Sequence, residues 1–154
     1  MSRRERFFLR WMSLYPPFLG AGIRVRRIAH DPLAFEAELR QHWWNRNAVG
    51  THFGGSLYTM ADPFYMLILI DALGREFTVW DKSATIRFRR PGRGTVRARF
   101  EIPRERIEEI RREALAAGRS EPVFVARVLD AAGETVTEIE KTISIRPRSP
   151  APRG

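Results

Sequence analysis

NRNAVGTHFGGSLYTMAD, residues 45–62, joins a polar turn to a glycine pair, Gly54 and Gly55, and then to an apolar segment carrying one carboxylate, Asp62. Glycines at a helix start let a ligand approach the backbone closely. The first N–H groups of a helix lack internal acceptors, so they suit an anion or a developing oxyanion. From residue 56 to residue 73 the chain is apolar on nearly every side, through Leu57, Tyr58, Met60, Phe64, Tyr65, Leu67, Ile68, Leu69 and Ile70. That run is too long for a strand and predicts a buried helix of roughly 27 Å, closed by Gly74. Pro63 cannot donate to the carbonyl of Thr59, so a kink is expected there.

A helix apolar all round must be enclosed, and the flanking sequence offers strands for this. Residues 23–29 and 33–39 alternate, with Leu33, Phe35, Ala37 and Leu39 on one face and Glu36, Glu38 and Arg40 on the other. Asp31 and Pro32 form the turn between them, which predicts a β-hairpin. Further strands are expected over 77–89, 95–102, 122–130 and 134–145, the last two joined by the turn at Ala131, Ala132 and Gly133. Between the second and third of these, residues 103–117 are expected to form an amphipathic helix with Ile107, Ile110, Ala114 and Leu115 on one face and Glu108 spaced to pair with Arg112. Pro16, Pro17 and the glycines at 20 and 22 mark a break after an N-terminal helix, residues 1–15. The reading is α+β, one domain over residues 1–146, with a proline-rich disordered tail at 147–154.

Composition bounds the function. The 154 residues suit one domain with its own core, and the absence of cysteine excludes disulfides, thiol nucleophiles and cysteine-ligated metals. His30, His42 and His52 have no metal-ligand spacing, so neither a metal nor a cofactor is expected. Arg10, Pro16 and Pro17 interrupt any signal-like apolar run, and no segment reaches the length of a membrane span; a soluble, cytoplasmic protein is expected. The net charge of +9 comes almost wholly from arginine, with Lys82 and Lys141 the two lysines. Dispersed along the chain, this charge argues against nucleic acid, which is met by a clustered stripe.

The element order and three motifs resemble the hotdog fold, in which an antiparallel sheet wraps one long helix. The similarity is nearest to acyl-coenzyme A thioesterases of the phenylacetyl-coenzyme A type and a neighbouring uncharacterised branch. The motifs are YPPFLGAG at 15–22, the 45–62 segment with Gly54 and Gly55 ahead of Ala61 and Asp62, and VWDKS at 79–83 with FRRPG at 88–92. The pattern departs from those enzymes at Phe53, where they carry histidine before the glycine pair and this chain has His52 one residue earlier. It departs again at Pro63.

The resemblance implies hydrolysis of an acyl-coenzyme A thioester at the interface of a homodimer or a dimer of dimers. In that reading the N–H groups of Gly55 or Ser56 hold the oxyanion, and Asp62 activates water or attacks directly. Asn47 and His52 are candidates to orient water or substrate, and Gly54 and Tyr58 to contact it. Arg89, Arg90 and Arg93 are candidates for the coenzyme A phosphates. The residues alone leave alternatives open. Asp62 before Pro63 also fits an N-cap or a buried ion pair, and Tyr58, Met60, Phe64 and Tyr65 fit core packing as well as an acyl pocket. Strict alternation puts Lys82 among Trp80, Ala84, Ile86 and Phe88, where it would need a carboxylate such as Asp62 or Asp71, or reach the ligand, with Asp81 exposed on the other face. The competing function is a non-catalytic acyl-coenzyme A or lipid-binding protein of the same fold.

Overall fold

The computed structural model describes residues 11–148. A single 3₁₀ turn, Met12–Leu14, leads into α1, Pro16–Ala21. The two prolines therefore open a short helix where the sequence predicted only a break; proline suits the first helical turn because its missing N–H would have no acceptor there. The rest of the expected N-terminal helix, at 1–10, lies outside the described residues, as does the tail at 149–154. Pro147 belongs to the last strand, and the Arg148 N–H donates to Glu76 O at 2.7 Å, so structure extends further toward the C-terminus than the proline-rich composition predicted.

The hairpin is as expected: β1, Ile23–His30, pairs antiparallel with β2, Leu33–Arg40. Leu33, Phe35, Ala37 and Leu39 are buried, with Glu36 and Glu38 on the outer face. The remaining strands are β3 (Phe77–Phe88), β4 (Thr95–Phe100), β5 (Val123–Leu129) and β6 (Thr135–Pro147). All pairings are antiparallel, in the order β1-β2-β4-β5-β6-β3, which leaves β1 and β3 as edges.

The apolar run at 56–73 becomes two helices, α2 (Gly54–Thr59) and α3 (Phe64–Leu73), joined by a turn. At the expected disruption Pro63 closes a turn over 60–63 within the central helical segment. Lacking its N–H, it leaves the Thr59 carbonyl to the tighter donor Asp62 N at 3.4 Å, and Ala61 N donates to Tyr58 O at 2.9 Å in the same i to i−3 manner. Together α2 and α3 are long and apolar enough to cross a membrane by composition, but half of the segment is buried in the fold. Phe64, with no exposed surface, is the hub: its ring centroid lies 5.2 Å from Phe35 on β2, 4.6 Å from Phe100 on β4 and 6.2 Å from Phe18 on α1. Six antiparallel strands packed on a central helical segment make this the α+β hotdog arrangement.

The helix α4, Arg104–Ala117, buries Ile107, Ile110 and Ala114 as predicted, but Leu115 is largely exposed. Glu108 pairs with Arg111 at 3.4 Å rather than with Arg112, because Arg111 leans over Phe77 and donates to Ala72 O at 2.9 Å, which brings it toward the α3 side of the helix.

His52 ties the loop before α2 to the turn between β3 and β4. Its backbone N–H donates to Gly92 O at 2.9 Å, and its Nε2 lies 3.0 Å from Gly94 O. The ring is buried, Nδ1 has no partner among the described residues, and a Cβ on Gly92 would meet the ring at 3.1 Å and Val136 at 2.8 Å. Burial holds the His52 pKa below its ordinary value, against a smaller opposing effect of the Gly94 carbonyl. A histidine depressed in the folded state contributes stability above its unfolded pKa, near 6.5, which is lost as pH falls through the folded value. The melting temperature of the wild type is expected to drop below about pH 6.5, and that part of the drop should disappear in His52→Gln. A His52→Gln profile parallel to wild type would contradict this assignment.

Candidate functional site

The turn between α2 and α3 brings Asp62 to the sheet, where its partner is a lysine that is not among the residues expected at the site. Lys141, on β6, has no exposed surface. Its Nζ donates to Asp81 Oδ2 at 2.9 Å, to Asp62 Oδ1 at 3.4 Å and to the Asp62 carbonyl. It also lies 5.7 Å from the centre of the Tyr58 ring. Three oxygen acceptors match the three donors of an ammonium, which is what a fully buried lysine needs.

Two local irregularities adjoin this cluster. A bulge between Asp81 and Ser83 puts an extra residue on β3 and resets its alternation. Ahead of the bulge Asp81 follows Phe77 and Val79 inward, opposite Ile143, where it was expected to be exposed. Lys82, expected on the apolar face, is turned out to pair with Glu121 at 2.6 Å, and Trp80 is also exposed. Beyond the bulge Ile86 and Phe88 pair with Ile139 and Thr137 on the inner side. The second irregularity is the helix break, which releases the Asp62 carbonyl from helical bonding and leaves it to Lys141. The Asp62 side chain is half exposed and makes no capping bond, so of the open readings the ion pair is present and the N-cap is not. Asp81 Oδ1 is buried and has no partner among the described residues.

The signal for Lys141 was present in the alternation of β6. Thr137, Ile139, Lys141, Ile143 and Ile145 follow one another at period two, and all five are fully buried.

The other candidates separate into those beside Asp62 and those used elsewhere. Tyr58 is half-buried one turn before Asp62, and its phenol is pushed up to about 12 by burial and by the Asp62 carboxylate. It therefore stays protonated across the neutral range, as a donor. At the start of α2, Gly55 is exposed and its N–H has no backbone acceptor among the described residues, whereas the Ser56 N–H is occupied by Phe53 O at 3.0 Å. Phe53 and Phe88, both exposed, flank the pair: a Cβ on Gly55 would stand 2.4 Å from the Phe53 ring and one on Gly54 2.9 Å from Phe88. Asn47 organises the preceding loop, donating to Thr51 Oγ1 at 2.8 Å and His52 O at 3.2 Å and accepting from the N–H groups of Val49 and Thr51. Met60, Phe64 and Tyr65 are core, Tyr65 donating to Val125 O at 3.1 Å.

The arginines at the β3–β4 turn are engaged within the chain. Arg89 pairs with Glu138 at 3.1 Å, Arg90 with Asp130 at 3.4 Å and Glu134 at 3.1 Å, and Arg93 donates to Gly50 O at 3.0 Å. All are exposed, and such pairs are weak enough to exchange for another anion. The arrangement thus offers a half-exposed carboxylate held from behind, a neutral phenol, and an open backbone N–H on the same helical segment. A carboxylate, a neutral donor and a free N–H are groups that acyl transfer can use.

Comparison with known proteins bears on the fold and the family. A Pseudomonas aeruginosa protein of unknown function, described as a probable thioesterase, superposes with a TM-score of 0.80 at 23% identity, covering 93% of this chain and 95% of its own. A Chlorobaculum tepidum protein of unknown function gives 0.70 at 15% identity, covering 94% and 95%. A thioesterase from Haemophilus influenzae gives 0.64 at 16% identity, covering 92% and 90%. No curated protein matches the chain. These likenesses establish the fold that the thioesterase neighbours share. A family model covers residues 3–145, nearly the whole chain, and the protein belongs to that family, described as a domain of unknown function, DUF4442.

Proposed function

We propose that the protein hydrolyses an acyl-coenzyme A thioester, working in the cytoplasm as a homodimer or dimer of dimers. The observation that carries this is the half-exposed Asp62 carboxylate, fixed by the buried Lys141 at the end of the helix that begins with the open Gly55 N–H. Asp62 and Gly55 lie about two helical turns apart in one chain, too far to act on one carbonyl. The reading therefore has Gly55 of one subunit meet Asp62 of the other. The unpaired edge of β3, which carries exposed Trp80 and Phe88, supports such an assembly.

In the reaction, Asp62 takes a proton from water, whose oxygen bonds to the thioester carbon. The carbonyl π electrons move to oxygen, and the Gly55 N–H stabilises that oxyanion. Its collapse breaks the carbon–sulfur bond, and the proton held by Asp62 passes to the leaving thiolate, giving a carboxylic acid and free coenzyme A. Direct attack by Asp62 through an anhydride, then hydrolysed by water, gives the same products. Tyr58 supplies a neutral donor beside Asp62, and the exchangeable Arg89, Arg90 and Arg93 suit the coenzyme A phosphates.

The second reading, acyl-coenzyme A binding without turnover, is favoured by one feature. The His52 ring is bonded to Gly94 O and so brings no imidazole to the glycine pair.

Purified protein should release free thiol from at least one member of an acyl-coenzyme A panel, and Asp62→Asn should reduce kcat about 100-fold or more with the melting temperature preserved. Binding without turnover would replace hydrolysis with the second reading, and a fully active Asn variant would remove Asp62 from the chemistry. Lys141→Met should lose about 3 kcal/mol in urea unfolding, because the half-buried Asp81, with its Oδ1 enclosed, is left without its partner. Wild-type stability in that variant would contradict the role given to the ammonium.

A further inference from the structure

Five large apolar side chains face solvent on two adjoining segments: Leu14, Tyr15 and Leu19 at 50, 48 and 52% exposure, and Trp43 and Trp44 at 79 and 50%. The core does not use them. On the first segment Met12 and Phe18 provide the inward anchors, each 2% exposed, and Leu14, Tyr15 and Leu19 point the other way. On the second, Trp44 stacks on the His42 ring at 4.3 Å with planes 2° apart, and Trp43 meets Trp44 edge-on at 5.7 Å, so the indoles are ordered by their neighbours in the bend.

Asn45 joins the two segments. Its Nδ2 donates to Ala21 O at 2.9 Å, at the end of α1, and to Arg40 O at 2.7 Å, while its Oδ1 accepts from His42 N at 2.7 Å. Gly22, with φ +77°, allows this closeness; a Cβ there would stand 2.6 Å from Asn45 Nδ2. The aromatic bend is thereby fixed against the end of α1.

Arginine outweighs carboxylate beside these segments, although Arg26 and Arg40 pair with Glu36 and Glu38 and Arg24 lines the same hollow as those two glutamates. Residues 39–61 contain Arg40 and Arg46 and no aspartate or glutamate, and residues 11–30 contain Arg24, Arg26 and Arg27 and again no aspartate or glutamate. The Arg24 and Arg46 side chains are exposed and have no carboxylate partner among the described residues. A second copy meeting this face through a two-fold axis would bring arginine against arginine, so self-association is the wrong complement. Indole and phenol rings favour the boundary between acyl chains and headgroups, and guanidinium groups pair with headgroup phosphates.

We propose that this face, built from the α1 segment and the Trp43–Trp44 bend, docks the protein on the surface of an anionic lipid bilayer. The aromatic and aliphatic tips enter the headgroup boundary, and Arg24 and Arg46 contact the phosphates. The proposal does not depend on the thioester reading.

The test is co-sedimentation of the full chain with vesicles of phosphatidylcholine alone and of phosphatidylcholine mixed with phosphatidylglycerol. Wild type should pellet with the mixed vesicles and not with phosphatidylcholine, with a blue shift in tryptophan emission and weakening in added salt. Trp43→Ser with Trp44→Ser should weaken binding by ~10-fold or more. Arg24→Glu with Arg46→Glu should abolish it, both variants melting as wild type does. Failure of the wild type to bind, or undiminished binding by either variant, would overturn the proposal. So would concentration-dependent self-association abolished by the tryptophan substitutions, since a second copy would then cover the face.

Discussion

Lys141 carries an ammonium with no exposed surface, and meeting its demand for acceptors organises the middle of the molecule. Removing such a charge from water is costly unless charge and hydrogen bonds are both returned. Asp81, in step with Phe77 and Val79, supplies one carboxylate where a bulge follows it; Asp62 supplies its carboxylate and its carbonyl where the helix is interrupted beside Pro63. Both irregularities would be defects in isolation. Around the ammonium they converge, linking β3, β6 and the helix break in one place.

The same interaction gives the candidate site its form. Lys141 approaches from the sheet side, so Asp62 is restrained from behind while half of it remains open. Tyr58, one turn earlier, meets the carboxylate as a neutral phenol. A carboxylate held on one side and exposed on the other is a reactant with a fixed direction of approach. The N–H of Gly55, at the opposite end of the short helix α2, is open for the same reason that helix starts generally are, and the exposed rings of Phe53 and Phe88 form its walls.

Elements governed by unbroken periodicity were legible in the sequence. Leu33, Phe35, Ala37 and Leu39 alternate without interruption and lie where period two puts them, and Ile107, Ile110 and Ala114 do the same at the helical period. The misreadings sit where a period is reset. Counting by twos through β3 placed Lys82 inside and Asp81 outside, but the bulge changes the phase after Asp81, which follows Phe77 and Val79 inward. Pro63 was visible as a disruption, and the turn that follows from it rests on Asp62 N taking the Thr59 carbonyl. Asp62 and the glycine pair were legible because their residue types are unusual in an apolar helix. Lys141 needed only the alternation of β6 to be followed through a charged residue. The partners of Arg89, Arg90 and Arg93 could not be read, since Glu138, Asp130 and Glu134 are brought near by the sheet, and nothing local encodes that.

The central claim is that a thioester carbonyl lies between the Gly55 N–H and the Asp62 carboxylate, brought together by two copies of the chain. A crystal structure of the wild-type protein with a non-hydrolysable acyl-coenzyme A analogue tests it directly. The account predicts a dimer in which the analogue's carbonyl oxygen accepts from Gly55 of one subunit, with Asp62 of the other in reach of its carbonyl carbon. An analogue seated away from Asp62, or an assembly that leaves Gly55 and Asp62 on separate surfaces, would contradict it.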